Sequence, residues 1–496
     1  MKKLHLFFIS TPGIGNSVPL IEFARFLTNH DRRFHATVLI ISIPKRPIVT
    51  SYIQSRCASL SLDDNPINFI HLPAVDPPSP DQYQSSLAYL CLLIDKHKPH
   101  VRDAIANAMK IGSNSDSDSV RVAGFFVDMF CTSMIDVANE LGIPSYLYFA
   151  SPASFLGFLL YFPTLDAQLA TEFVDSEDTQ LIVPKDSFTE LKIPSFVNAL
   201  PPLVLPTAAL KRKEDGYAWY LYHAPRYTET KGMVVNTFQE LEPYAIDSLR
   251  VSGMPPVYPI GPVLDLAGPA EWHPDRVHQE NIMKWLDDQP PSSVVFLCFG
   301  SMGSLNRAQL REIASGLERT GFRFLWSTRE RPKSTEHLPD EYANLEEVLP
   351  EGFLDRTAKI GLVCGWVPQV TILAHQAIRG FVSHCGWNSI MESLWYGVPI
   401  ATWPVYAEQQ LNAFQLVKEL GLAVEIRLDY REGSNLVSAE ELETALRRLM
   451  DGDNEVRKKT KEMKERSRIA MMENGSSYKS LGCLIEELLA NLGGNK

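Results

Sequence analysis

At 496 residues the chain is too long for one average domain, and two domains of roughly 200 to 250 residues, each with its own core, are expected. With 45% hydrophobic and 21% charged residues and no long polar tract, it is neither disordered nor fibrous. A formal net charge of -12 argues against a nucleic-acid backbone or an anionic membrane surface as a general partner, so an anionic ligand needs a locally built site.

The first apolar run, LHLFFIS at 4–10, contains His5 and meets Pro12 and Gly13 at once, which fits a first β-strand better than a signal peptide. A helix-like PLIEFARFLTNH follows at 19–30, then a strand-like ATVLIISI at 36–43. VRVAGFFVDMF at 120–130 repeats the cycle with TSMIDVANELG and PSYLYFA. Such alternation implies βαβ units on a parallel sheet, an α/β fold. It restarts after residue 290 with SVVFLCFGS, AQLREIASGLERTG and FRFLWST, then IGLVCGW, QVTILAH, GFVSHCG, NSIMESLWYG and VPIATWP.

Between the two series lies a Pro- and Gly-rich passage, and the expected division is 1–254, a linker at 255–274, 275–460, and terminal helices at 461–496. GSNSDSDS at 112–119 and DPPSP at 76–80 read as surface loops. Seven cysteines are scattered without a CxxC pair, which argues against a disulfide framework or a structural zinc. No apolar run reaches about 18 residues. A cytoplasmic protein without a membrane span is expected.

Chemistry concentrates between Trp366 and Gln409. The indole of Trp366 suits stacking on a flat base, and Gln369 offers amide hydrogen bonds. In FVSHCGWNSIMESLW a strand-like run meets Gly386 and then a helix, so the amides of Trp387, Asn388 and Ser389 should lie near a helix N-terminus, where an anion binds readily. Glu408 and Gln409 carry groups suited to sugar hydroxyls. Over these 44 positions the segment resembles the signature box of the plant family 1 UDP-glycosyltransferases, closest to flavonoid, phenolic and terpenoid glucosyltransferases of the UGT71 type, and the resemblance extends over essentially the whole chain.

That resemblance implies the GT-B fold: two Rossmann-like domains facing across a cleft, the acceptor held mainly by the N-terminal one and the UDP-sugar by the C-terminal one, with the last helices crossing back. It implies that His384, Asn388 and Ser389 contact the diphosphate, that Trp387 borders the sugar, and that Glu392 holds the ribose hydroxyls. Ser301, in the turn FGSMGS, approaches the diphosphate in the same scheme, and a final glutamine at 409 favours UDP-glucose. No cofactor beyond that donor, no metal, a small hydrophobic acceptor and a monomer are further expectations. His384 and the helix terminus would neutralise the leaving diphosphate.

One position departs from the family. The turn after the first strand reads TPGIGNSVP, with Asn16 where members carry the histidine that takes the acceptor's proton. Asp128 matches the aspartate that orients that histidine. A carboxamide is not basic near pH 7, so Asn16 positions and does not deprotonate. Three explanations stay open: an inactivating substitution, a variant acting on acidic acceptors such as phenols, or a variant with another base. A nucleotide-sugar-binding protein without turnover is therefore the main alternative. A dinucleotide-dependent oxidoreductase fails because GIG at 13–15 lacks the third glycine of GxGxxG. A metal-dependent GT-A transferase would need a DxD motif, and the matches at 116–118 and 451–453 sit in a low-complexity loop and at a helix end.

Overall fold

Two parallel sheets organise the chain in the computed structural model, which describes residues 4–44, 46–62, 67–111, 121–175, 181–184, 190–266, 276–332, 337, 339–431, 436–452 and 454–491. They belong to two compact units, one of Met1–Val197, Ala208–Asp265 and Ile469–Lys496, the other of Asn198–Thr207 and Leu266–Arg468.

The first unit carries β1 (Leu4–Ile9), β2 (Phe34–Ile40), β3 (Ile67–His71), β4 (Arg121–Asp128), β5 (Ser145–Phe149), β6 (Phe173–Asp175), β7 (Ile182–Pro184), β8 (Met233–Val235) and β9 (Val257–Pro259). Seven of them form a parallel sheet in the order β3-β2-β1-β4-β5-β8-β9, while β6 and β7 pair antiparallel. From Leu6 to Ile9 the first strand is apolar at successive positions because both faces of the sheet are covered. Phe7, Ile9, Phe125 and Val127 pack with Val101, Ile105, Met134 and Ile135 from the helices Lys98–Ile111 and Met134–Glu140. The alternate residues turn the other way, with Phe8 and Phe126 stacked at 4.9 Å and Phe23 of the helix Ile14–His30 edge-on to both. Each such buried phenylalanine contributes roughly 1.5–3 kcal/mol.

β9 falls inside the stretch that reads as a linker. Val257 and Tyr258 are buried, and the helix Ser476–Ala490 closes over this side of the sheet, with Ser477 Oγ donating to the Gly261 carbonyl at 2.5 Å. Leu488 of that helix lies so near Gly124 that a Cβ there would meet it at 3.2 Å. The remainder of the expected linker, 267–274, and the GSNSDSDS loop lie outside the described residues.

The second unit carries β10 (Val294–Cys298), β11 (Arg323–Ser327), β12 (Gly361–Cys364), β13 (Ile378–Ser383), β14 (Ile400–Thr402) and β15 (Ala423–Glu425), all parallel in the order β12-β11-β10-β13-β14-β15. Two of its helices show side-chain caps. Asn306 accepts the Gln309 amide at 2.9 Å to open Arg307–Thr320, and Gly321, at φ 65, ends it. Ser438 and Glu441 form a capping box at the start of Ala439–Met450. Among the described residues, no helix is long and apolar enough to cross a membrane.

In each unit the strand order reverses beside the first strand, between β1 and β4 and between β10 and β13. At such a reversal the loops leaving neighbouring strands diverge and open a crevice at the carboxyl ends. Asn16 and Asp128 sit at the first of these points and Ser301 and His384 at the second, whereas Trp366 and Gln369 follow the edge strand β12 and Glu408 and Gln409 follow β14.

Candidate active site

In the second unit the crevice is bounded by the turn after β10 and the turn after β13. Gly300 has φ 76, and a Cβ on it would stand 2.4 Å from Nε2 of His384. Gly386 has an ordinary φ of -64, yet its Cβ would stand 2.5 Å from the same nitrogen. The imidazole is therefore packed between two backbones that only glycine lets approach. Between them Cys385 adopts φ 62, a conformation that costs a non-glycine residue about 1–3 kcal/mol and needs external support. Asn412 supplies it by donating to the Cys385 carbonyl at 2.9 Å, as does Ser383 Oγ by accepting the Cys385 amide at 3.1 Å.

His384 is buried, and burial pushes its pKa down to about 4, helped by the charge of Arg329 and opposed by the backbone of Cys298. The ring is thus neutral near pH 7. Directly after Gly386 the helix Trp387–Tyr396 begins, with no acidic residue in its first turn, so its N-terminal amides face no side-chain anion of their own helix. Trp387 and Ser389 are buried there, and Asn388 is half-buried.

Gln369 ties this helix to the segment after β12. Its Nε2 donates to Ser389 Oγ at 2.8 Å and to Glu392 Oε2 at 2.6 Å. Trp366, three residues earlier and half-buried, is anchored by its backbone amide to Glu341 Oε1 at 2.9 Å. The Arg329 guanidinium lies 4.5 Å from the centre of the Trp366 ring and donates to the carbonyls of Ser301, at 3.0 Å, and Gly300. Arg329 thus joins Ser301 to Trp366, with His384 packed against Gly300, while Gln369 separately joins Ser389 and Glu392 on the helix that begins just after His384. Arg329 was not among the residues expected from sequence, where it is one of several charges just past the strand RFLWS.

Gln409 is placed differently from a residue presented to solvent. It is 2% exposed, and its Oε1 accepts the amides of Val405 and Tyr406, each at 2.9 Å, which fixes the loop carrying Ala407 at φ 56. Half-buried Glu408 opens the helix Gln409–Phe414, and the neighbouring Tyr406 ring lies 6.4 Å from that of His384.

In the first unit the expected pair is in contact. Asp128, at the end of β4 and fully buried, accepts from Asn16 Nδ2 at 3.1 Å, from the Phe130 amide at 3.2 Å, and from Thr11 Oγ1. Burial raises its pKa while these three donors pull the other way. Asn16 sits in the first turn of the helix Ile14–His30, held by its amide to the Gly13 carbonyl at 3.3 Å. A Ser10–Ser17 hydroxyl contact of 2.9 Å braces the same turn. Thr11 was missed in sequence, being 117 residues from its partner.

This cluster contains no basic nitrogen. Among the described residues, the buried histidines of the unit are committed elsewhere: His97 Nδ1 contacts the Leu93 carbonyl at 2.8 Å, and His223 bonds Cys91 Sγ at 3.3 Å and Thr132 Oγ1 at 2.7 Å, with burial driving the His223 pKa to about 3. Among the described residues, no group of three or more His, Cys, Asp or Glu side chains is arranged to hold a metal ion.

The profile of the family described as UDP-glucoronosyl and UDP-glucosyl transferase matches residues 228–467. UDP-glycosyltransferase 43 of Pueraria montana var. lobata is 54% identical over 98% of this chain and 100% of its own length. UDP-glucose flavonoid 3-O-glucosyltransferase 6 of Fragaria ananassa is 47% identical over 98% of this chain and 99% of its own. Among solved structures, Medicago truncatula UGT71G1 complexed with UDP-glucose superposes with a TM-score of 0.86 at 45% identity, covering 98% of each chain.

Proposed function

Because this chain belongs to the plant UDP-glycosyltransferases, with relatives 45–54% identical over nearly its full length, we propose that it transfers glucose from UDP-glucose to a hydroxyl of a small hydrophobic acceptor such as a flavonoid or another phenol, slowly for want of a base. It is a UDP-glycosyltransferase of GT-B fold. The observation that supports the donor reading is the glycine-cradled His384 directly before the helix whose Ser389 and Glu392 are both tied to Gln369.

Trp366 stacks on the uracil, and Gln369 with Glu392 takes the ribose hydroxyls. The amides of Trp387, Asn388 and Ser389, with Ser301 and His384, take the diphosphate. Trp387, Glu408 and Gln409 border the sugar. The acceptor oxygen attacks the anomeric carbon in line, the bond from that carbon to the diphosphate breaks with its electron pair leaving on UDP, and the hydroxyl proton passes to solvent. Asp128 takes that proton poorly, because Thr11, Phe130 and Asn16 already occupy its oxygens. Incubating the protein with UDP-glucose and a panel of phenols tests this. Formation of a glucoside with stoichiometric UDP is expected, whereas UDP-glucose binding without any glucoside would favour a binding protein, the reading that the Asn16–Asp128 contact keeps open.

Two variants probe the diphosphate end. Gly386→Ala keeps an allowed backbone but drives a methyl into the His384 ring, so UDP should bind about tenfold more weakly while the melting temperature moves by a few degrees at most. Unchanged affinity would remove His384 from the site. The ring's own titration gives a pH signature. A bound diphosphate favours the charged imidazole, so the His384 contribution to affinity rises as pH falls from 6.5 toward 4, against the loss of charge as UDP itself is protonated. Calorimetry over that range should show a steeper rise for the unaltered protein than for His384→Gln; equal slopes would contradict the assignment.

A further inference from the structure

Arg329 stands two residues beyond β11 and is 3% exposed. An arginine keeps its charge even when buried, and burying a charge without an ion pair is costly. Among the described contacts its guanidinium meets two carbonyls and an indole and no carboxylate, and its Nε is buried without a hydrogen-bond partner. Glu341, the acid acting on it through space, gives an oxygen to the backbone of Trp366 instead.

The contacts have a common consequence. A planar guanidinium over an indole occupies one ring face and holds the plane, leaving a base the opposite face on which to stack. Each carbonyl it binds shares a rigid trans peptide plane with the next amide, which points the opposite way. Fixing the Gly300 and Ser301 carbonyls therefore fixes the directions of the Ser301 and Met302 amides in the turn beside His384.

We infer that Arg329 is a positioning residue for the donor: one buried cation sets both the Trp366 ring that receives the base and the Gly300–Ser301 turn that meets the diphosphate, and so couples the two halves of the nucleotide site. This rests on the donor reading above. A merely structural arginine would affect folding without making the two halves interdependent.

The test is a double-mutant cycle read by calorimetry with UDP, using the unaltered protein, Arg329→Met, Trp366→Ala and the double variant, each checked by thermal unfolding. Arg329→Met is expected to weaken UDP about tenfold or more in the unaltered background and at least about threefold less in the Trp366→Ala background, the signature of residues that act together. Arg329→Lys keeps the charge but not the flat fork, and should fail to restore affinity. If Arg329→Met does not fold, the lysine variant is carried through the same cycle and decides. Equal losses in both backgrounds, no loss, or full rescue by lysine overturns the inference while leaving the donor site standing. Absence of UDP binding by the unaltered protein, or unweakened binding by Trp366→Ala, overturns both.

Discussion

Asn16→His is expected to speed glucosyl transfer to a phenolic acceptor by about 10² to 10⁴, the range that a positioned general base supplies, equivalent to roughly 3–5 kcal/mol of barrier. The receiving site is already built. Asn16 Nδ2 donates to Asp128 at 3.1 Å, and the first nitrogen of an imidazole at this position would stand about where that amide nitrogen does. The second ring nitrogen would then be available for the acceptor hydroxyl, with buried Asp128 stabilising the imidazolium that forms. The donor residues lie in the other compact unit, so the KM for UDP-glucose should stay within about threefold while kcat rises. The check is initial-rate kinetics of both proteins on one phenol. Equal kcat values would refute the role given to this position.

Trp366→Ala should weaken UDP by about 10- to 100-fold, because stacking an aromatic ring on a base is worth roughly 1–3 kcal/mol. Removing the ring also takes away the face against which Arg329 rests, at 4.5 Å, and leaves that cation with less to hold it. The loss should appear chiefly in the KM for UDP-glucose, since the base is remote from the bond that breaks. A Trp366→Ala protein with native KM would show that the indole is only part of the core.

Much of the proposed donor site could be put forward from sequence because its residues lie within one segment. Trp366, Gln369, His384, Ser389 and Glu392 come from two adjacent strand-to-helix passages, so their order along the chain nearly dictates their assembly. Arg329 is illegible by the same logic. Its partners come from other strands, Ser301 lying 28 residues away, and nothing local marks it. Thr11 and Asp128 illustrate the point more sharply, meeting only because β1 and β4 are neighbours at the reversal.

Periodicity also misjudges boundaries and faces. The helix expected from Pro19 begins at Ile14, and Pro19 lies inside it, past the first turn. Phe125, Phe155 and Phe158 are at most 1% exposed and pack in the core, with Phe155 and Phe158 5.9 Å apart, whereas Tyr161 is half-buried. An apolar side chain looks the same in sequence whether a ligand or another phenylalanine covers it. The acceptor is the part of the chemistry that short-range pattern reaches least.

The most direct test of the donor site is a calorimetric titration of UDP into the unaltered protein near pH 7. Saturable binding at one site per chain is expected, with competition by UDP-glucose. A titration showing no saturable heat, together with no displacement of UDP-glucose, would contradict the site built around Trp366 and His384.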